Sequence, residues 1–290
     1  MPDLAYPTSA SVVERLTDSL GLPEASVERL IAIPVVLDAL IRHSSMDGYA
    51  LAGPAALHGV YLSGPYVQRV PDELTFAPAR TPGKRLPADG LVAAAAAALP
   101  GGSATAVDSL GRAMVSYRGL VSRVEIPIRI DAELVFEPDH VVRSKADECG
   151  TGFVRDATLP YRGPSGETVV VRTALMEELL ARTLLALLDK RRSDAAARTD
   201  DLRVVFSTYQ RSAREAFAGP VRAAFLAQMA QAPDPEAGLS RLAAKMHSMA
   251  SNSASDGALD PSLRSIGATG DWSAFEDMLI DALDALRSGR

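Results

Sequence analysis

Tyr49-Ala50-Leu51-Ala52, then Gly53-Pro54, then residues 55–62, then Arg69-Val70-Pro71-Asp72-Glu73-Leu74-Thr75-Phe76 is the stretch whose reading decides the fold. The first four residues are apolar and extended, Gly53-Pro54 breaks the strand and opens a helix, and residues 69–76 return as an acidic strand. Such a unit suits a nucleotide. A glycine lets phosphate approach main-chain N–H groups where a helix begins, and carboxylates on the returning strand can hold magnesium beside it. Asp72 alternates to the opposite side from Glu73, so each face of the strand has only one of the two acids. On a purely structural reading, Gly53 permits a tight turn and Arg69 forms a surface ion pair with Asp72 or Glu73.

Outward from this stretch, residues 11–20 and 26–43 have helix-period apolar positions, separated by Gly21-Leu22-Pro23, with Pro34 expected to kink the second helix. The alanine run in residues 87–99, stopped by Pro100-Gly101-Gly102, predicts another helix. Residues 113–117 and 122–130 read as strands, with Val124, Ile126 and Ile128 on one face and Glu125 and Arg129 on the other. Two more strands are expected over 153–159 and 168–171, joined by Arg162-Gly163-Pro164-Ser165-Gly166. From Thr173 the period becomes helical: 174–190, 195–218, 221–230, 236–249 and 272–286, with 250–270 as a linker. The expectation is an α+β domain over residues 1–171 and a helical domain over 172–290.

Composition agrees with a soluble globular chain: 290 residues, 47% hydrophobic and 23% charged. A net charge of −6 gives polyanions no general attraction. The single cysteine, Cys149, cannot form an internal disulfide, and the four histidines lack zinc-ligand spacing. No apolar run is long enough to span a bilayer and no secretory leader is visible, so the expected location is cytoplasmic, without a membrane.

In order and spacing these segments resemble the AbiEii/AbiGii group of bacterial nucleotidyltransferase toxins, relatives of the MenT toxins and of the polymerase-beta-like nucleotidyltransferase fold. The likeness runs through most of residues 25–210. It implies a polymerase-beta-like core with a mixed sheet, followed by a helical C-terminal bundle, and transfer of a nucleotide from an NTP to an acceptor such as tRNA with Mg2+. A cognate antitoxin or other protein partner would accompany it, as would a role in phage defence. On the family's pattern Gly53 matches the first glycine and Arg69 the arginine before the acidic pair. Glu73 stands for the first metal-binding aspartate and Glu125 for the later carboxylate, so the resemblance makes Glu73 and Glu125 the catalytic and metal residues. It makes Gly53, Arg69, Arg182 and Asp201 the nucleotide-binding residues.

The chain departs from that pattern at chemical positions. Pro54 replaces a residue that would offer a backbone N–H, and Thr75 replaces the second aspartate. Arg182 lies one residue before the family's phosphate-contacting lysine, about 100° around the helix. It can equally pair with Glu178 one turn earlier, as Asp200 and Asp201 can simply favour a helix start. Two readings follow: a nucleotidyltransferase with reduced or lost activity, and a non-catalytic module that holds a nucleotide or a protein.

Overall fold

Strand-period alternation of apolar and polar residues builds a seven-stranded mixed sheet, seen in a computed structural model that describes residues 4–61, 70–80, 89–105, 112–132, 154–188 and 216–229 and positions 281, 284, 285 and 288. The described residues fall into two compact units, one within Met1–Glu137 and Phe153–Leu175, the other within Pro138–Gly152 and Met176–Arg290.

In the first unit, helix α1 (Ala10–Leu20) ends where Gly21 takes φ 63° and donates its N–H to the Thr17 carbonyl at 2.9 Å. This is the left-handed stop that glycine makes without strain. Helix α2 (Glu24–Ile41) continues through the buried Pro34 as one element. Strand β1 (Tyr49–Ala52) leads into a short helix α3 (Gly53–Ala56), continued by a π-turn over Leu57–Tyr61. Then come β2 (Glu73–Pro78), α4 (Asp89–Ala97), β3 (Ser103–Ala104), β4 (Arg112–Arg118), β5 (Glu125–Ala132), β6 (Asp156–Arg162) and β7 (Thr168–Ala174). The sheet order is β3-β4-β5-β2-β1-β7-β6. Strands β1 and β2 are antiparallel, β2 runs parallel to β5, and β1 runs parallel to β7.

Register assigns the two faces. Ala113, Val115 and Tyr117 of β4, Ile126, Ile128 and Ile130 of β5, and Leu74 and Phe76 of β2 are buried on one side. Helix α2 packs against β5, β7 and α4, and α4 packs against β4. Each fully buried Ile, Leu or Phe here contributes about 1.5–3 kcal/mol. The opposite side has the odd-numbered β5 residues and the even-numbered β4 residues, which are mostly exposed.

A carboxylate lies inside this packing. Glu28 on α2 is fully buried, and its carboxylate accepts the Val121 N–H at 2.8 Å, the Ser122 N–H at 3.3 Å and the Ser122 hydroxyl. The Tyr117 hydroxyl donates to the Glu28 carbonyl at 2.7 Å, and the Tyr117 ring meets Tyr6 edge-on at 5.2 Å. Burial pushes the Tyr6 phenol up to about 12. Gly119 completes the fit, because a Cβ there would lie 2.2 Å from a Glu28 carboxylate oxygen.

In the second unit, α5 (Met176–Leu188) packs against α6 (Arg222–Met229) and the π-turn Phe217–Val221 before it, and the Gln228 amide donates to the buried Glu178 carboxylate at 2.8 Å. Positions 281, 284, 285 and 288 are helical. The helix expected over 236–249, the linker over 250–270 and most of the helices expected over 195–218 and 272–286 lie outside the described residues.

Glu28→Ala would strand the amides of the β4–β5 turn without an acceptor. We expect a loss of about 3–5 kcal/mol in chemical denaturation, with Glu28→Gln losing less than half as much because one acceptor oxygen remains. Equal stability of Glu28→Ala and the parent would show that the turn holds without this carboxylate.

Candidate functional site

Gly53 adopts φ 65°, and a Cβ on it would fall 3.1 Å from both Cβ and Oγ1 of Thr75. Two constraints therefore demand glycine: a left-handed backbone and a close neighbour. The antiparallel register, Ala52 opposite Thr75, explains the contact, since the chain turns out of β1 directly over β2. The strand, glycine turn, helix and returning acidic strand expected from the sequence are thus present. Helical backbone runs from Gly53 to Tyr61, close to the residues 55–62 expected, and Pro54 in its first turn has no N–H to offer. What Gly53 approaches is the Thr75 side chain.

Glu73 opens β2, and its register partner on β5 is Arg129. The Arg129 guanidinium donates to the Glu73 carboxylate, whose side chain is 11% exposed against 43% for Arg129. The Arg129 amide also donates to the Asp72 carbonyl at 2.9 Å, fixing the two strands side by side. Burial works against the Arg129 charge, but the hydrogen bond and charge of Glu73, with Asp72 and Asp131, outweigh it and hold the guanidinium above its ordinary pKa.

Glu125 is on the same face of the sheet, four residues before Arg129 along β5, and is exposed. At about 3.3 Å per residue the two glutamates are roughly 13 Å apart along the strands, too far to share an ion whose oxygen ligands lie at about 2.0–2.1 Å. The pairing of Glu73 with Glu125 as ligands of one magnesium ion is therefore corrected by the register. The carboxylate beside the Thr75 position is Asp131, directly opposite it. The expected strand stopped at residue 130, whereas β5 continues to Ala132. Continuing the alternation from Glu125 and Arg129 by one more step would have found Asp131.

Of the expected ligands Glu73 already has a guanidinium, Thr75 brings no charge and Glu125 is distant; among the described residues no group of three or more His, Cys, Asp or Glu side chains could hold a metal. Arg182 lies on α5 in the second unit, where burial lowers its pKa to about 10. Arg69 and Asp201 lie outside the described residues.

Of the residues proposed from sequence, then, the structure joins Gly53 to the Glu73–Thr75 strand and sets Glu125 at the far end of the same face. Arg129 and Asp131 were missed as site residues. The chain matches no protein-family model and no curated protein. Among the described residues no helix is long and apolar enough to cross a membrane.

Two sets of substitutions test the geometry. Gly53→Ala should cost about 1–2 kcal/mol from the left-handed backbone alone, and Thr75→Ser in the same chain should not rescue it fully. Arg129→Met should cost about 1–3 kcal/mol by leaving Glu73 shielded and unpaired, while adding Glu73→Gln to Arg129→Met should recover most of that loss. Additive effects in this second cycle would show that the pair is not coupled.

Proposed function

We propose that this chain is a degenerate nucleotidyltransferase-like protein of the AbiEii type, in which transfer of a nucleotide to an acceptor such as tRNA is reduced or lost and the scaffold acts as a non-catalytic module binding a nucleotide or a protein partner. The observation that carries this reading is the Arg129 guanidinium seated on Glu73, where the resemblance calls for a divalent cation. Nucleotidyl transfer needs cations that neutralise the triphosphate and assist the attacking and leaving oxygens. A guanidinium already neutralised by its own carboxylate has little charge left for that task.

Support for the scaffold comes from the glycine turn packed on the acidic strand and from the carboxylate of Asp131 beside that strand. A helical C-terminal bundle, a cognate antitoxin and a role in phage defence belong to the same proposal. The retained fold and the lost chemistry are separable claims.

The test is incubation of the pure protein with magnesium, each labelled NTP and bulk tRNA. We expect label transfer at background, unchanged by Glu73→Ala. Transfer above background that Glu73→Ala abolishes would overturn the non-catalytic reading in favour of an active enzyme.

A further inference from the structure

The open face of the β4–β5 hairpin has opposite charges in register: Arg112 is opposite Asp131 at one end, and Arg118 is opposite Glu125 at the other. Between them Met114, 39% exposed, is opposite Arg129, and the exposed Pro127 is opposite Ser116. All the basic residues of β4 lie on one strand of the pair, and each has its acid on the other. We propose that this face is the contact surface of a homodimer, formed by stacking the hairpin face to face on a second copy of the chain.

The argument is geometric. A two-fold axis parallel to the strands, lying midway between β4 and β5 above the sheet, sets β4 of one copy over β5 of the other while preserving position along the strands. Arg112 then lies over Asp131 of the second copy, and Arg118 over its Glu125. By symmetry both contacts recur, so each end of the hairpin becomes an alternating four-charge array. The self-complementary interface of a two-fold dimer requires such a pattern. Packed sheets are about 10 Å apart and turn by about 30°, which displaces the ends of a hairpin this short by a few Å, within reach of arginine and glutamate side chains. Between the charged ends Met114 lies over Arg129 of the second copy and Pro127 over its Ser116, so the centre mixes apolar and polar contacts.

The same pattern disfavours a nucleic acid as the occupant. Across the two strands the three arginines Arg112, Arg118 and Arg129 are balanced by Glu125 and Asp131 with Glu73 of β2, so the face has no net positive charge to attract phosphate. Two strands of seven and eight residues also cover far less than the roughly 800 Å² per partner of a standard stable interface. The dimer is accordingly weak, reversible and sensitive to salt. This inference is independent of the functional reading above.

Sedimentation equilibrium of the full chain, loaded from about 5 to 500 µM, tests it by spanning the range in which a micromolar dimer dissociates. We expect a monomer–dimer equilibrium that shifts to monomer in 0.5 M NaCl, roughly tenfold weakening by Arg118→Glu and by Glu125→Arg separately, and recovery when the two are combined. Met114→Lys, at an exposed position that the two-fold sets over Arg129 of the second copy, should weaken it by placing like charges together. A monomer throughout the concentration range, or a dimer indifferent to all these variants, would overturn the proposal. So would a combined variant as weak as the single ones, provided its thermal transition matches the parent.

Discussion

The position of β5 depends on Glu28. This buried carboxylate is tied to the amides of the β4–β5 turn, and the carbonyl of the same residue receives the Tyr117 hydroxyl, so helix α2 holds the hairpin by both side chain and main chain. Burying a carboxylate is costly unless hydrogen bonds replace its water, and three donors from the turn do so here. The space is reserved in advance, since any side chain at Gly119 would enter it. With the hairpin set, the parallel pairing of β5 with β2 follows, and that pairing brings Arg129 to Glu73.

Local signals made much of this fold legible in the sequence. Period-two alternation in Ile126-Pro127-Ile128-Arg129-Ile130 identified a strand with one dry face, and Gly21-Leu22-Pro23 separated two helices where Gly21 does adopt a left-handed backbone. Gly53 and Glu73 were legible because the turn and its returning strand are close in sequence. Arg129 was placed on the correct face but not against Glu73, because nothing local fixes the register between parallel strands 56 residues apart. Glu28 gave no signal at all. It is one charged residue between Val27 and Arg29, and the amides that satisfy it lie more than 90 residues further along the chain.

Electrostatics gives Thr75 and Arg129 a common meaning. An acidic pair awaiting a divalent cation is strained by repulsion until the ion arrives, whereas one acid with a covalently attached cation is satisfied on folding. Thr75 brings no charge to the strand, and its side chain fills the space beside Gly53. The uncharged residue 75 and the arginine at residue 129 therefore act in the same direction, each lowering the demand for an external ion.

The same accounting limits what could bind at Glu73. Taking Glu73, Arg129 and Asp131 with its register partner Arg112 together, acids and arginines balance, and Asp72 adds a negative charge. A triphosphate approaching this surface meets no net attraction, and it gains the Arg129 guanidinium only by breaking an ion pair with a carboxylate that is 11% exposed. At an effective dielectric near 20, a pair of charges 4 Å apart is worth about 4 kcal/mol before desolvation, a cost that the phosphate contact would first have to replace. Nucleotide binding through this arginine would thus leave Glu73 uncompensated, so a ligand bringing its own cation or hydrogen-bond donors fits the surface better than a bare polyanion.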